Sequence, residues 1–467
     1  MEFFTAILEF LRDVLSEPAL LIGLMAFVGL VALKSPAHKV LIGTLGPILG
    51  YIMLSAGAGF IVANLAPLGL MIEHGFNIQG VVPNNEAIVA AAQELLGVET
   101  MSILVLGLVL NILIARFTKY KYVFLTGHHS FFMACLFSAV LGATGLHGAP
   151  LVIIGGFFLG AWSAISPAIG QRYTQKVTDG DDVAMGHFGS LGYYLSAWVG
   201  SKVGSPADST EKIVIPEKWS FLRNTTIATA ITMIVFYLVA AIVAGPDYVS
   251  TLSGGTSPFL FAAMTGLKFA VGVAIVYAGV RMILADLIPA FQGIATKIIP
   301  NAVPAVDCAV FFTYAQTAVI IGFICSFLGG VVGMLVLGFA GGVLIIPGLV
   351  PHFFTGATAG IYGNATGGRK GAIIGSFVNG LAITFFPAFL LPVLGELGFA
   401  NSTFGDFDFA LLGILIGQAG NSLNMAGIYL IVGIVLLTLI IPNFIKTKTA
   451  ALNNYLPESE EHSKEVK

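Results

Sequence analysis

Charge is what this chain has least of. Of 467 residues only 10% are Asp, Glu, Lys or Arg, and the formal net charge is −3. So little charge excludes an ordinary soluble domain, and the absence of a basic excess excludes nucleic acid as a partner. Cysteine is equally scarce. Cys135, Cys308 and Cys325 lie in apolar stretches without C-x-x-C spacing, which excludes a disulfide framework and a cysteine-based metal site. Strand-like alternation is missing. A cleavable signal peptide is not evident either. Residues 2–15 carry Glu9, Arg12 and Asp13 in an amphipathic pattern, which predicts an interfacial helix over residues 1–18. Gly363-Asn-Ala-Thr-Gly-Gly-Arg-Lys370 lacks the Lys-Ser/Thr ending of a phosphate loop and reads as a turn. Neither a cofactor nor a metal is expected.

Long apolar runs are abundant. Hydrophobic residues make up 57% of the chain, mean hydropathy is +0.94, and 57 glycines suit close helix packing and broken helices. The expected class is an all-α polytopic membrane protein of about eleven spans. Basic segments such as Arg116–Lys121, Arg172–Lys176 and Lys446–Lys448 alternate with base-free ones such as Met71–Glu99. By the positive-inside rule the N-terminus lies outside and the C-terminus in the cytoplasm. The expected organisation is a first membrane repeat over 19–200, a cytoplasmic loop over 201–224, a second repeat over 225–445 and a cytoplasmic tail over 446–467.

The chain between Lys297 and Arg369 holds a single charged residue, Asp307, in Val303-Pro-Ala-Val-Asp307-Cys308. Bare charge in hydrocarbon is costly, so an intramembrane carboxylate is read first as a functional site. The alternative is a cap on a half-helix. The stretch has an upstream echo: Val82-Pro-Asn-Asn-Glu86 matches Val303–Asp307 at an offset of 221 residues, and Gly57 matches Gly279 at 222. Two inverted halves, each bringing a Pro and an acid to the middle, are expected, with Glu86 and Asp307 approaching one site.

Histidines mark further breaks in apolar runs. His128 and His129 lie in Leu125–Phe132, His187 in Met185–Gly189 and His352 in Pro347–Phe354; a further break is expected at Gly417-Gln-Ala-Gly420, which shares G-x-x-G with Gly186–Gly189. Corresponding breaks in two halves point to a transport site near the midplane. An imidazole both donates and accepts, which suits a polyhydroxylated ligand, although a lone histidine is also an ordinary structural hydrogen-bonder. His128 and His187 are read as ligand-binding, while His129 and His352 stand open.

Thr126-Gly-His128, Val177-Thr-Asp-Gly180 followed by Gly186-His187, Gly279-Val-Arg-Met282, Val306-Asp-Cys-Ala309 and Leu344-Ile-Ile-Pro-Gly348 together carry a resemblance. In matching order over residues 19–445, the chain resembles the ascorbate-family membrane subunit (EIIC) of the bacterial phosphoenolpyruvate-dependent sugar phosphotransferase system. The resemblance implies an inner-membrane homodimer among lipids, with inverted repeats, broken or re-entrant helices, and core and scaffold domains. An elevator-type core movement would deliver L-ascorbate, or a related sugar or polyol, to a separate EIIB phosphocarrier that phosphorylates it. The chain would be a transport component, not an enzyme, although Asp307 is a candidate general base.

For the site, the resemblance implies ligand contacts at His128, His187 and Asp307. Family glutamines are replaced by Phe132 and Phe188, a serine by Ala58, and a Thr-Tyr pair by Asn85-Glu86. Gly57 and Gly59 would let a broken helix approach the ligand. His352 completes the candidate set. An ionised Glu86 beside Asp307 would repel the ascorbate monoanion, so a neutral sugar or polyol is the second substrate expectation. A proton-coupled secondary transporter, with Glu86 and Asp307 carrying protons, is the competing function. A receptor that has lost transport is the third.

Overall fold

A computed structural model describes residues 17–76, 80–180, 183–213, 225–394 and 402–444. Residues 1–16 of the interfacial helix expected over 1–18, residues 214–224 of the loop expected over 201–224 and the tail over 446–467 lie outside the described residues. The first part of the chain runs α1 (Pro18–Ala32), α2 (Ala37–Phe76), β1 (Val82–Pro83), α3 (Asn85–Phe117), β2 (Tyr122–Phe124), α4 (Gly127–Ala143), α5 (Gly148–Thr178), β3 (Ala184–Met185) and α6 (Ser190–Val203). The second runs α7 (Thr225–Ala244), α8 (Pro246–Leu252), α9 (Pro258–Lys297), β4 (Val303–Val306), a 3-10 turn (Cys308–Thr313), α10 (Gln316–Phe339), α11 (Leu349–Leu390), β5 (Ser402–Thr403), α12 (Phe407–Leu423) and α13 (Met425–Phe444).

This is an all-α polytopic membrane protein. Helices satisfy their backbone groups internally, which a hydrocarbon surrounding demands. Leu41, Ile42, Val235 and Phe339 project outward, an apolar exterior suited to lipid. Among the described residues seven helices are long and apolar enough to cross a membrane, and α7 with α8 adds a pair bent by 115°. Three shorter apolar helices, Ile22–Ala32, Gly127–Ala143 and Phe407–Leu423, accompany them. Against the about eleven spans expected from the sequence, seven to eight units among the described residues qualify by length and composition, with the three shorter apolar helices beside them.

One nominal helix is two. Within α11, Gly368 has φ 59° and ψ −146°, a conformation that a side chain would strain. The chain reverses there. Asn379 Nδ2 donates to Thr355 Oγ1 at 3.3 Å and Ser376 Oγ to the Gly356 carbonyl at 3.4 Å, so the arms 349–367 and 369–390 lie antiparallel. The turn expected at Gly363–Lys370 is this reversal.

Two small parallel sheets interrupt the helices. In one, β4 is central: Tyr122 to Phe124 pair with Val303 to Ala305 on one side, and Ala184 and Met185 with Ala305 and Val306 on the other. In the second, β1 is central: Val82 and Pro83 pair with Ser402 and Thr403, while Val81 bridges Ile345 in the extended segment before α11. The central strands β1 and β4 both begin Val-Pro and are the two stretches that echo each other in the sequence. Each is flanked by one extended segment that leads into α4 or α11 and one that leads into α6 or α12. The two echoing stretches thus share a strand order as well as residues.

The long helices α2 and α9 pack along each other. A Cβ on Gly57 would sit 2.8 Å from the Val276 nitrogen and 3.0 Å from the Gly272 carbonyl oxygen of α9. Gly57 therefore admits a neighbouring helix backbone, and its repeat counterpart Gly279 does the same toward Leu54.

Candidate functional site

Each strand ends close to a polar side chain, and these side chains converge. β1 leads to Asn85, β2 to His128, β3 to His187, β4 to Asp307 and β5 to Asp406. Together with α2 and the start of α11 they line a cavity of about 670 Å³. An extended segment followed at once by a helix lets backbone and side chain turn inward without leaving peptide groups unpaired. The Gly186 N–H donates to the Val306 carbonyl at 2.7 Å and the Leu125 N–H to the Ala305 carbonyl at 2.9 Å.

Asp307 is a cap that also lines the cavity. Its Oδ1 accepts from the Ala309 N–H at 2.9 Å and caps the 3-10 turn. Its Oδ2 lies 3.5 Å from His128 Nε2. His128 Nδ1 meets the Tyr51 hydroxyl of α2 at 2.9 Å, so Tyr51, His128 and Asp307 form one polar line along the cavity. With Tyr51 donating, the His128 proton sits on Nε2, facing the carboxylate.

His187 is held in one tautomer. Its Nδ1 accepts the Gly189 N–H at 3.1 Å and meets the Tyr193 hydroxyl at 2.8 Å. The proton of a neutral ring is then on Nε2. His129 is arranged alike, with Nδ1 accepting the Phe188 N–H at 3.4 Å, and its ring centroid is 3.6 Å from that of His187. Beside these rings Asn85 Nδ2 donates to Asp406 Oδ2 at 2.7 Å, and Asn85 Oδ1 accepts the Gly405 N–H at 2.8 Å. Phe132, Val350 and Phe354 supply the apolar part of the lining.

Two groups have the composition of metal ligands: His128, His129 and Asp307, and His129, His187 and Asp406, with the candidate ligand atoms of each within 4.8 Å of one another. The hydrogen bonds favour another use. His129 and His187 each engage a backbone N–H through Nδ1, so a cation at Nε2 would have to displace the only ring proton. Protonated Nε2 atoms beside carboxylates form a donor–acceptor set for hydroxyl groups.

The structure brings Asn85, His128, Phe132, His187 and Asp307 to one cavity, along with Ala58 and Gly59. Three other sequence candidates sit elsewhere. Gly57 faces α9. Phe188 is fully buried and stacks on Phe124 at 4.5 Å between ring centroids. His352 is buried with Nδ1 2.9 Å from Ser326 Oγ. Glu86 is the second residue of α3; its side chain lies outside the described residues. Gly417–Gly420 is continuous helix inside α12, not a break.

Sequence reasoning missed Asp406. Its signal is Gly405-Asp406-Phe407, which echoes Gly186-His187-Phe188 at an offset of 219 residues. The neighbouring Asp408 does a different job. Its Oδ1 accepts the Leu191 N–H at 2.9 Å, and its Oδ2 accepts from Ser190 Oγ at 2.8 Å and Trp162 Nε1 at 3.2 Å, so it caps α6.

A family model described as EIIC-GAT, the PTS system sugar-specific permease component, matches residues 13–408. The ascorbate-specific PTS system EIIC component of Mycoplasma pneumoniae is 28% identical over 424 residues, which cover 78% of this chain. The aligned part spans 63% of that relative's own length.

Proposed function

This chain belongs to the EIIC-GAT family of sugar-specific permease components of the PTS system, and from that we propose that it translocates L-ascorbate or a related sugar or polyol across the bacterial inner membrane. The observation that carries the reading is the convergence of Asn85, His128, His187, Asp307 and Asp406 on one cavity, each at a strand–helix junction. A ring bearing several hydroxyls would donate to Asp307 and Asp406, accept from the Nε2–H of His187, and lie against Phe132 and Phe354. Asp307 is the candidate base for the hydroxyl to be phosphorylated: the Ala309 N–H fixes one carboxylate oxygen, and the other lies in the cavity beside His128.

In this reading the chain is a transport component. A separate EIIB phosphocysteine protein supplies the phosphoryl group, and the charged product is trapped inside. A homodimer would hold the scaffold still while the core, carrying the cavity, moves as an elevator. The N-terminus would lie outside and the C-terminus in the cytoplasm. The relative from Mycoplasma pneumoniae supports ascorbate as substrate. A neutral sugar or polyol is the second reading, and the lining favours it: Asp307, Asp406 and Glu17 line the cavity, while no Lys or Arg does so among the described residues.

The test is uptake by vesicles holding the purified chain, with and without an EIIB relay charged from phosphoenolpyruvate inside. Phosphorylated L-ascorbate or sugar accumulating only with the relay is the expected result. Accumulation of unmodified ligand under a proton gradient alone would overturn it in favour of a secondary transporter.

A further inference from the structure

The two parallel sheets make a correspondence that neither half displays alone. β4 and β1 are their central strands. β3 flanks β4 and runs into Gly186-His187-Phe188; β5 flanks β1 and runs into Gly405-Asp406-Phe407. Helices α6 and α12 then begin at Ser190 and Phe407. The two segments lie side by side, because the Asp408 N–H donates to the Phe188 carbonyl at 3.0 Å while the Leu191 N–H donates to Asp408 Oδ1 at 2.9 Å. By the shared Gly-x-Phe motif after the flanking strand, Asp406 is the second-half counterpart of His187. Both are buried, at 3% and 4% exposure, and both line the cavity.

The two positions have opposite hydrogen-bonding characters. His187 offers an N–H, since its Nδ1 already accepts. Asp406 is an acceptor. It is oriented by Asn85, which also holds the Gly405 N–H, so one amide fixes both the carboxylate and the turn that carries it. A buried carboxylate at this position discriminates by charge: it accepts from a ligand hydroxyl and repels a ligand anion across a medium less polar than water.

We propose that Asp406, the second-half counterpart of His187, is a specificity-determining residue that contacts the ligand and biases the cavity toward neutral polyhydroxylated rings over monoanionic ones. The proposal rests on the permease reading only in taking the cavity as the substrate site.

The experiment compares two probes of nearly the same shape by isothermal titration at pH 7: L-ascorbate, a monoanion, and L-gulono-1,4-lactone, a neutral ring. Full-length wild type and Asp406→Asn are measured in detergent, with thermal melting as the fold control. Asparagine keeps the shape and an oxygen for Asn85 but removes the charge. The expected result is a shift of the ascorbate-to-lactone affinity ratio toward ascorbate by on the order of tenfold. A ratio unchanged within about twofold would mean that Asp406 only braces β1 against β5, and overturns the proposal, as does failure of both variants to bind either probe. If Asp406→Asn does not yield folded protein, Asp406→Ser is read in the same way. Because binding alone is scored, a shifted ratio without relay-dependent uptake would leave Asp406 as proposed and sink only the transport mechanism.

Discussion

The side-chain amide of Asn85 donates to the Asp406 carboxylate at 2.7 Å, across 321 residues of chain. The same amide accepts the Gly405 N–H through its oxygen. A single side chain thus ties the end of β1 to the turn after β5. Asn85→Ala removes the hydrogen bonds to the Asp406 carboxylate and the Gly405 N–H, a loss of about 0.5–3 kcal/mol for each, the larger for the bond to the charged group. The melting temperature in detergent is expected to fall, and ligand binding to weaken with it. Asn85→Asp, which sets two carboxylates against each other, is expected to be worse.

Asp307 has separable roles at its two oxygens. Asp307→Asn keeps an oxygen for the Ala309 N–H and removes the charge 3.5 Å from His128. Relay-dependent uptake is expected to be lost while the melting temperature stays near wild type. Asp307→Ala also removes the cap, typically about 1 kcal/mol, and is expected to melt lower. Wild-type uptake by the Asn variant would remove Asp307 from the site.

Phe132 and Phe188 look alike in the sequence and differ in place. Phe132 lines the cavity; Phe188 is buried against Phe124 and Phe409. Phe132→Ala is expected to weaken ligand binding with a small change in melting. Phe188→Ala is expected to cost about 3–5 kcal/mol of stability, the usual range for a buried aromatic. Paired titration and melting curves on the two variants check this, and equal effects on both readouts would contradict it.

Asp408 and Gly368 are predicted to matter for folding rather than for the ligand. Asp408→Ala releases two hydrogen bonds at the start of α6 and one to Trp162 of α5, and a fall in melting temperature with little change in ligand affinity is expected. Gly368→Ala places a side chain at φ 59° and ψ −146°, a region essentially reserved for glycine, at a strain of roughly 1–3 kcal/mol before any clash. It would also press on the Ser205 and Asp208 carbonyls. A lower yield of monodisperse protein on size-exclusion chromatography is the expected readout.

Much of the site was legible because it breaks a strong pattern. In an apolar chain an isolated Asp307 or a Gly-His pair stands out, and His128, His187 and Asp307 do meet at one cavity. The repeat was legible in Val82-Pro and Val303-Pro, which proved to be the central strands of two sheets. The strands themselves were not. Segments of two to four residues have too little length to show a period of two. Gly417–Gly420 misled because its glycines serve close packing inside a continuous helix, Gly417 against Val393 and Gly420 against Thr144. Gly57 and His352 show the other use of small and polar residues inside a membrane protein: Gly57 packs against α9, and His352 pairs with Ser326.

Composition and hydropathy determined the class. A chain this apolar must pair its backbone groups within helices, and few charges leave few places for chemistry. Tertiary structure decided which polar residues share a cavity. That choice depends on strand pairings between residues far apart in sequence, β1 with β5 and β2 and β3 with β4. It depends also on side chains such as Asn85 that orient a distant carboxylate. Such contacts are settled by packing in three dimensions, and local sequence pattern carries no energy term for them.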